Sequence, residues 1–135
     1  MEPRILNTLA RDPFVLKTER PFVALKGQRN GYIMLAPAKD IRHYTGLEPA
    51  LFATAKAWGE QLEALGAQKV YWIMLSEVTE HLHIHLYPRW ADDTQKGITL
   101  FESRDSEPQP DWQPAVLDQL AQWANTHTVC VESTR

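Results

Sequence analysis

From His81 to Leu86 the chain alternates imidazole and aliphatic side chains: His81, Leu82, His83, Ile84, His85, Leu86. A period of two belongs to an extended strand, whose successive side chains point to opposite faces. Leu82, Ile84 and Leu86 then form an apolar face that has to be covered, and His81, His83 and His85 share the other. A fold that accepts this strand needs an apolar partner on one side only. That partner is legible upstream. Leu51, Phe52, Ala55, Trp58, Leu62 and Leu65 recur at helical spacing within Leu47–Leu65, with Pro49 suited to a first turn and Gly66 to a C-terminal cap. The spacing predicts one long helix lying across a sheet.

The remaining strands are read from turn residues and short apolar runs. Phe14–Glu19 and Pro21–Lys26 read as strands, Gly27–Gly31 as a turn tolerant of positive φ, and Tyr32–Ala36 as a third strand ended by Pro37. Lys69–Ser76 is rich in aromatic and β-branched residues, and Glu77–Glu80 is short enough to be a hairpin turn into the strand His81–Pro88. Beyond Arg89 we expect a short edge strand at Ile98–Phe101 and a polar loop at Ser103–Pro110. Asp111 then suits the N-cap of a second helix with Val116, Leu117, Leu120, Trp123 and Ala124 on one face, and Val129–Val131 a last strand. A chain of 135 residues fits one domain. The expected class is α+β: a mainly antiparallel sheet of about five strands, one long helix packed on it, and a C-terminal helical appendage over 103–135.

Composition excludes several partners. The net charge is −3 and no Lys/Arg run supplies a basic face, which argues against nucleic acid. Cys130 is the only cysteine, so neither an intrachain disulfide nor a cysteine-based zinc site can form. The first residues lack the apolar core of a signal peptide, and the longest apolar run, Val70–Leu75, is too short to span a bilayer. A cytoplasmic protein without a membrane partner is expected.

Three of the five histidines share one strand face, a concentration that points to proton, phosphoryl or metal chemistry. In the metal reading, a His-x-His pair at roughly 6.5–7 Å chelates an ion, whereas the outer pair, roughly 13 Å apart, cannot share it. A metal-dependent hydrolase or metal-binding protein would then use two of the three with His43 or a distant carboxylate such as Asp92 or Asp93. In the nucleophile reading, one neutral imidazole attacks phosphorus while its neighbours donate to the phosphoryl oxygens and the departing group. That chemistry employs every histidine and requires neither metal nor cofactor.

The segment His81-Leu82-His83-Ile84-His85-Leu86-Tyr87, followed by Pro88-Arg89, resembles the signature of the histidine-triad (HIT) superfamily. Gly31-Tyr32-Ile33-Met34-Leu35-Ala36-Pro37 is similar to the glycine, aromatic or histidine, apolar strand and proline that precede it in that family. The similarity covers roughly residues 20 to 90, a whole small α+β unit. The resemblance implies a nucleotide hydrolase or transferase of diadenosine polyphosphate hydrolase-like type. His83 would attack the α-phosphorus to form a nucleotidyl-histidine, His85 would contact the phosphate and assist the leaving group, and His81 would orient the site. It implies diadenosine polyphosphates, nucleoside phosphoramidates or nucleotide sugars as substrates, and a homodimer. Leu82 stands where the galactose-1-phosphate uridylyltransferase branch has proline, which argues against that branch.

Three features depart from the family pattern. The phosphate-binding loop before the triad shrinks to Ser76–Glu80, leaving Ser76 and Thr79 as hydroxyl donors; Tyr32 replaces a common histidine; and Ala24–Lys26 offers no ribose-gripping polar residue. Tyr32 is counted on the substrate side, although an aromatic at a strand edge more often packs. Arg89 and Lys39 are the basic residues placed to attract phosphate. Trp72 and Trp90 are open to walling a base pocket or a dimer contact. A low-turnover nucleotide-binding regulator of the same family is the alternative that the short loop suggests.

Overall fold

The computed structural model describes residues 15–19, 22–77 and 80–126. The expected strand Val129–Val131, together with Thr79 and His127, lies outside them. Five strands form one antiparallel sheet: β1 (Val15–Glu19), β2 (Phe22–Lys26), β3 (Ile33–Pro37), β4 (Lys69–Ile73) and β5 (Ile84–Arg89), in the order β1-β2-β3-β5-β4. The α+β class and the sheet size read from the sequence both hold.

The long helix α1 (Pro49–Ala64) starts on its proline and lies across the sheet. Leu51, Ala55, Trp58 and Leu62 pack with Ile33, Leu35, Ile84 and Leu86 in one core, the pairing of helix stripe and aliphatic strand face that the two periodicities require. Phe52 leaves the stripe. It sits about 100° around the helix from Leu51 and is 38% exposed.

Two further helices follow, α2 (Gly97–Glu102) and α3 (Pro114–Thr126). α3 begins at Pro114 rather than after an Asp111 cap, because the residues before it are sewn to the β2–β3 turn. Trp112 Nε1 donates to Gly27 O at 2.7 Å, Gln113 N to Asn30 Oδ1 at 2.9 Å, and Asn30 N to Pro110 O at 2.9 Å. Val116, Leu120 and Ala124 enter the main core, and Trp58 meets Trp123 edge-on at 4.9 Å. The stretch 103–126 therefore shares the core of the sheet unit.

The same turn needs glycine at position 31. Gly31 has φ +81°, and a Cβ there would stand 2.6 Å from Trp90 Cζ2.

Three expectations are corrected. Ile98–Phe101 is helical, not an edge strand. Gly97 turns the chain with φ +63°, and a short helix lays Leu100 and Phe101 on Tyr32 and Tyr87, covering the sheet face opposite α1. Four apolar-rich residues fit either period equally well. The strand expected over Lys69–Ser76 stops at Ile73, because the Tyr44 hydroxyl lies 3.2 Å from Met74 O and 2.9 Å from Leu75 O, and Ser76 turns away with φ 56°. Its partner starts at Ile84, not His81, so His81 and His83 stand ahead of the ladder and only His85 lies in it.

Since Trp58 is almost wholly buried and packed edge-on against Trp123, Trp58→Ala should cost about 3–5 kcal/mol. Urea denaturation checks this; a loss under about 1 kcal/mol would contradict the packing described.

Candidate functional site

His81 is the foundation of the site, and it is fully buried. Its Nε2 donates to the carbonyl of Pro37 at 2.8 Å. Nδ1 accepts from the Ile41 N–H at 3.2 Å when it carries no proton and donates to the Asp40 carboxylate when it carries one. Asp40 Oδ1 lies 3.2 Å from the same nitrogen. Desolvation works against the Asp40 carboxylate, but hydrogen bonding with His81 and Arg42 outweighs it and holds the group below its ordinary pKa. Leu82 N completes the attachment by donating to Ile41 O at 2.8 Å. Residues 37–41 thus act as a strap, and β3 ends with a proline whose carbonyl finds its donor in a side chain.

His83 is held by its neighbour's backbone. Its Nδ1 lies 2.8 Å from the carbonyl of His81. A carbonyl only accepts, so Nδ1 carries the proton, and in the neutral ring the lone pair belongs to Nε2. Ser76 Oγ accepts from the His83 amide at 3.3 Å and lies 3.5 Å from Nδ1. The turn after β4 therefore braces the middle histidine through the hydroxyl of Ser76.

His85 lies on β5, opposite Met34 of β3 and Ile73 of β4. Its ring meets His83 edge-on at 4.8 Å and Phe101 of α2 at 5.2 Å. Tyr32 Oη is 2.6 Å from His85 Nδ1. Burial pushes the Tyr32 hydroxyl pKa well up, so the phenol keeps its proton. Tyr32 Oη has no other hydrogen-bond partner among the described residues, so it donates to Nδ1 and leaves the His85 proton on Nε2. Burial first, then the neighbouring His83 and Arg104, lower the His85 pKa from 6.5 to about 3. His85 is a neutral hydrogen-bond donor at physiological pH.

Ser76 and Tyr32 thus join the three histidines. Arg89 does not: it ends β5 opposite Lys69, roughly 13 Å along the strand from His85. Lys39 and His43 are exposed, as is Trp72. Trp90 supports the β2–β3 turn by donating from Nε1 to Asn30 O at 2.9 Å. Four residues of the site escaped the sequence reading: Pro37 and Asp40 beneath His81, and Phe101 and Arg104 beside His85. Only a fold-level contact brings any of them to the triad. Among the described residues no three His, Cys, Asp or Glu side chains converge to hold a metal ion. His81 commits both ring nitrogens within the protein, so the triad does not fit a three-histidine metal site.

No family model and no curated protein matches the sequence. Solved structures do match. A histidine triad protein from Marinobacter aquaeolei VT8 aligns with TM-score 0.65 and 20% identity, covering 90% of this chain and 92% of that one. A histidine triad (HIT) protein from Sinorhizobium meliloti 1021 aligns with TM-score 0.58 and 18% identity over 86% of this chain and 90% of that one. A zinc-bound histidine triad family protein from Mycobacterium smegmatis aligns with TM-score 0.56 and 13% identity over 90% and 93%. The chain has the fold of histidine triad proteins, which the His81–Tyr87 signature led us to expect.

The lowered pKa of His85 makes folding pH-dependent. Between about 6.5 and about 3 the unfolded chain binds a proton at this position and the folded chain does not, so stability falls as pH falls through that window. In His85→Gln, unfolding should take up about one proton fewer there. Urea denaturation as a function of pH measures this, and an unchanged slope would contradict the neutral buried ring.

Proposed function

We propose that this protein is a nucleotide hydrolase or nucleotidyl transferase that works through a covalent nucleotidyl-His83. The observation that carries the reading is the hydrogen bond from His83 Nδ1 to the His81 carbonyl, which presents the Nε2 lone pair beside His85. Attack by Nε2 on the α-phosphorus forms an N–P bond as the bond to the leaving group breaks. The ring becomes an N-phosphorylated imidazolium, and its positive charge strengthens the Nδ1–H bond to the His81 carbonyl. Water or another acceptor then attacks phosphorus, loses its proton to solvent, and the N–P electron pair returns to Nε2. His85 Nε2–H donates to oxygen on the transferred or departing phosphate. His81 does not touch substrate in this scheme; it is the positioning residue whose carbonyl sets the nucleophile's tautomer.

The nucleotide, as a small-molecule partner, is part of the same proposal, as are the homodimer and the cytoplasmic location. Among the described residues no helix is long and apolar enough to cross a membrane. Light scattering coupled to size exclusion tests the dimer.

A second reading, a nucleotide-binding regulator with little turnover, is favoured by one observation. α2 lays Phe101 against the His85 ring. Tight binding of a nucleotide that persists uncleaved through long incubation would establish it.

The covalent reading predicts that brief incubation with a nucleotide conjugate gives an intact-mass adduct in the wild type. His83→Ala should lose the adduct and on the order of a thousandfold in turnover. Undiminished hydrolysis by His83→Ala would overturn the mechanism.

A further inference from the structure

The turn that braces His83 does not hold itself. β4 stops at Ile73, so its ladder with β5 does not reach Met74, Leu75 or Ser76. Leu75 is 64% exposed, so burial does not anchor the turn either. Ser76 adopts φ 56°, the left-handed region that a residue with a Cβ disfavours. Left to itself, this segment would relax and carry the Ser76 hydroxyl away from His83.

The group that restrains it is the Tyr44 phenol. Its O–H donates to Leu75 O at 2.9 Å and to Met74 O at 3.2 Å, sharing one proton between the two carbonyls directly ahead of Ser76. The Tyr44 ring is 51% exposed, so its hydroxyl rather than its burial accounts for the contact. The backbone beneath the ring is anchored on both sides. Three residues earlier, the Ile41 N–H lies 3.2 Å from His81 Nδ1, and Ile41 O accepts from Leu82 N at 2.8 Å. After it, the 3₁₀ turn Tyr44–Gly46 is closed by Gly46 N donating to His43 O at 2.9 Å, and the chain enters α1 at Pro49.

One short segment therefore reaches His83 from two directions. Pro37 and Ile41 fix His81, whose carbonyl accepts from His83 Nδ1 at 2.8 Å. Tyr44 fixes the turn whose Ser76 Oγ accepts from the His83 amide at 3.3 Å. We infer that Tyr44 is a positioning residue for His83 that acts through Ser76: its hydroxyl clamps the Met74 and Leu75 carbonyls and so keeps the Ser76 hydroxyl on the middle histidine. The net worth of one exposed hydrogen bond and the cost of one left-handed non-glycine residue are of the same order. Loss of the clamp therefore shifts the population of the docked turn several-fold and leaves the core intact. The catalytic consequence rests on the covalent reading proposed above, whereas the clamp is a property of the free protein.

The test is a double-mutant cycle. Tyr44→Phe removes only the O–H, and Ser76→Gly removes Oγ while accepting φ 56° without strain. Neither side chain is buried, so both variants keep the fold. In the free protein, Tyr44→Phe should speed hydrogen exchange of the His83 amide by about three- to tenfold. It should also move the ring-nitrogen NMR resonances of His83 in the same direction as Ser76→Gly. In the Ser76→Gly background, Tyr44→Phe should change neither further. With a nucleotide conjugate, Tyr44→Phe should lower kcat about three- to tenfold and leave KM within about twofold, and the double variant should match Ser76→Gly. Unmoved His83 resonances in Tyr44→Phe, or losses that add in the double variant as a merely structural role would give, overturn the inference. If His83→Ala cleaves the conjugate undiminished, the covalent reading fails, and the resonances and exchange rates of the same four proteins still decide the clamp.

Discussion

The site depends on one buried hydrogen bond, from His81 Nε2 to the carbonyl at the end of β3. Pro37 ends its strand without an N–H of its own, and its carbonyl is the acceptor on which the His81 ring docks. The bond fixes the His81 ring. The Leu82 amide holds the adjacent backbone to Ile41, so the carbonyl of His81 has a fixed direction. His83 Nδ1–H is aimed at that carbonyl, and the His83 tautomer follows. The chain of causes runs from a strand end, through a strap, to the position of one lone pair.

Neutrality is the second organising constraint. Two imidazole rings with centres 4.8 Å apart in a buried setting repel strongly if both are protonated. The protein resolves the conflict by giving each ring a different partner: a backbone acceptor for His83 and a phenol donor for His85. The lone pair and the proton are thereby separated into adjacent rings. Arg104 is held off the rings by the face of Phe101. Tyr32 fits this arrangement because a phenol whose pKa is raised by burial donates without adding charge.

Much of this architecture is visible in the pattern of residues. Burial of Leu82, Ile84 and Leu86 follows their alternation, and Leu51, Ala55, Trp58 and Leu62 follow the helical period that meets them. These agree because sheet and helix faces are set by backbone geometry, which acts on near neighbours in the chain. The extent of β5 and the nature of α2 were not visible. His81 and His83 left the ladder because residues 37–41 and Tyr44, distant in sequence, competed for the backbone groups that a longer hairpin would have paired. Ile98–Phe101 became helical because the sheet face around Tyr32 and Tyr87 needed a cover.

By itself the sequence determined the class of fold, the apolar seam between the long helix and the sheet, and the concentration of imidazoles beside it. Those properties are local and periodic. Tertiary structure alone decided which nitrogen of each histidine carries the proton, and that Arg104 rather than Arg89 stands nearer the triad. A tautomer is set by the partner across a hydrogen bond, and each decisive partner (Pro37 for His81, Tyr32 for His85, Phe101 beneath Arg104) is brought by the fold rather than by chain period.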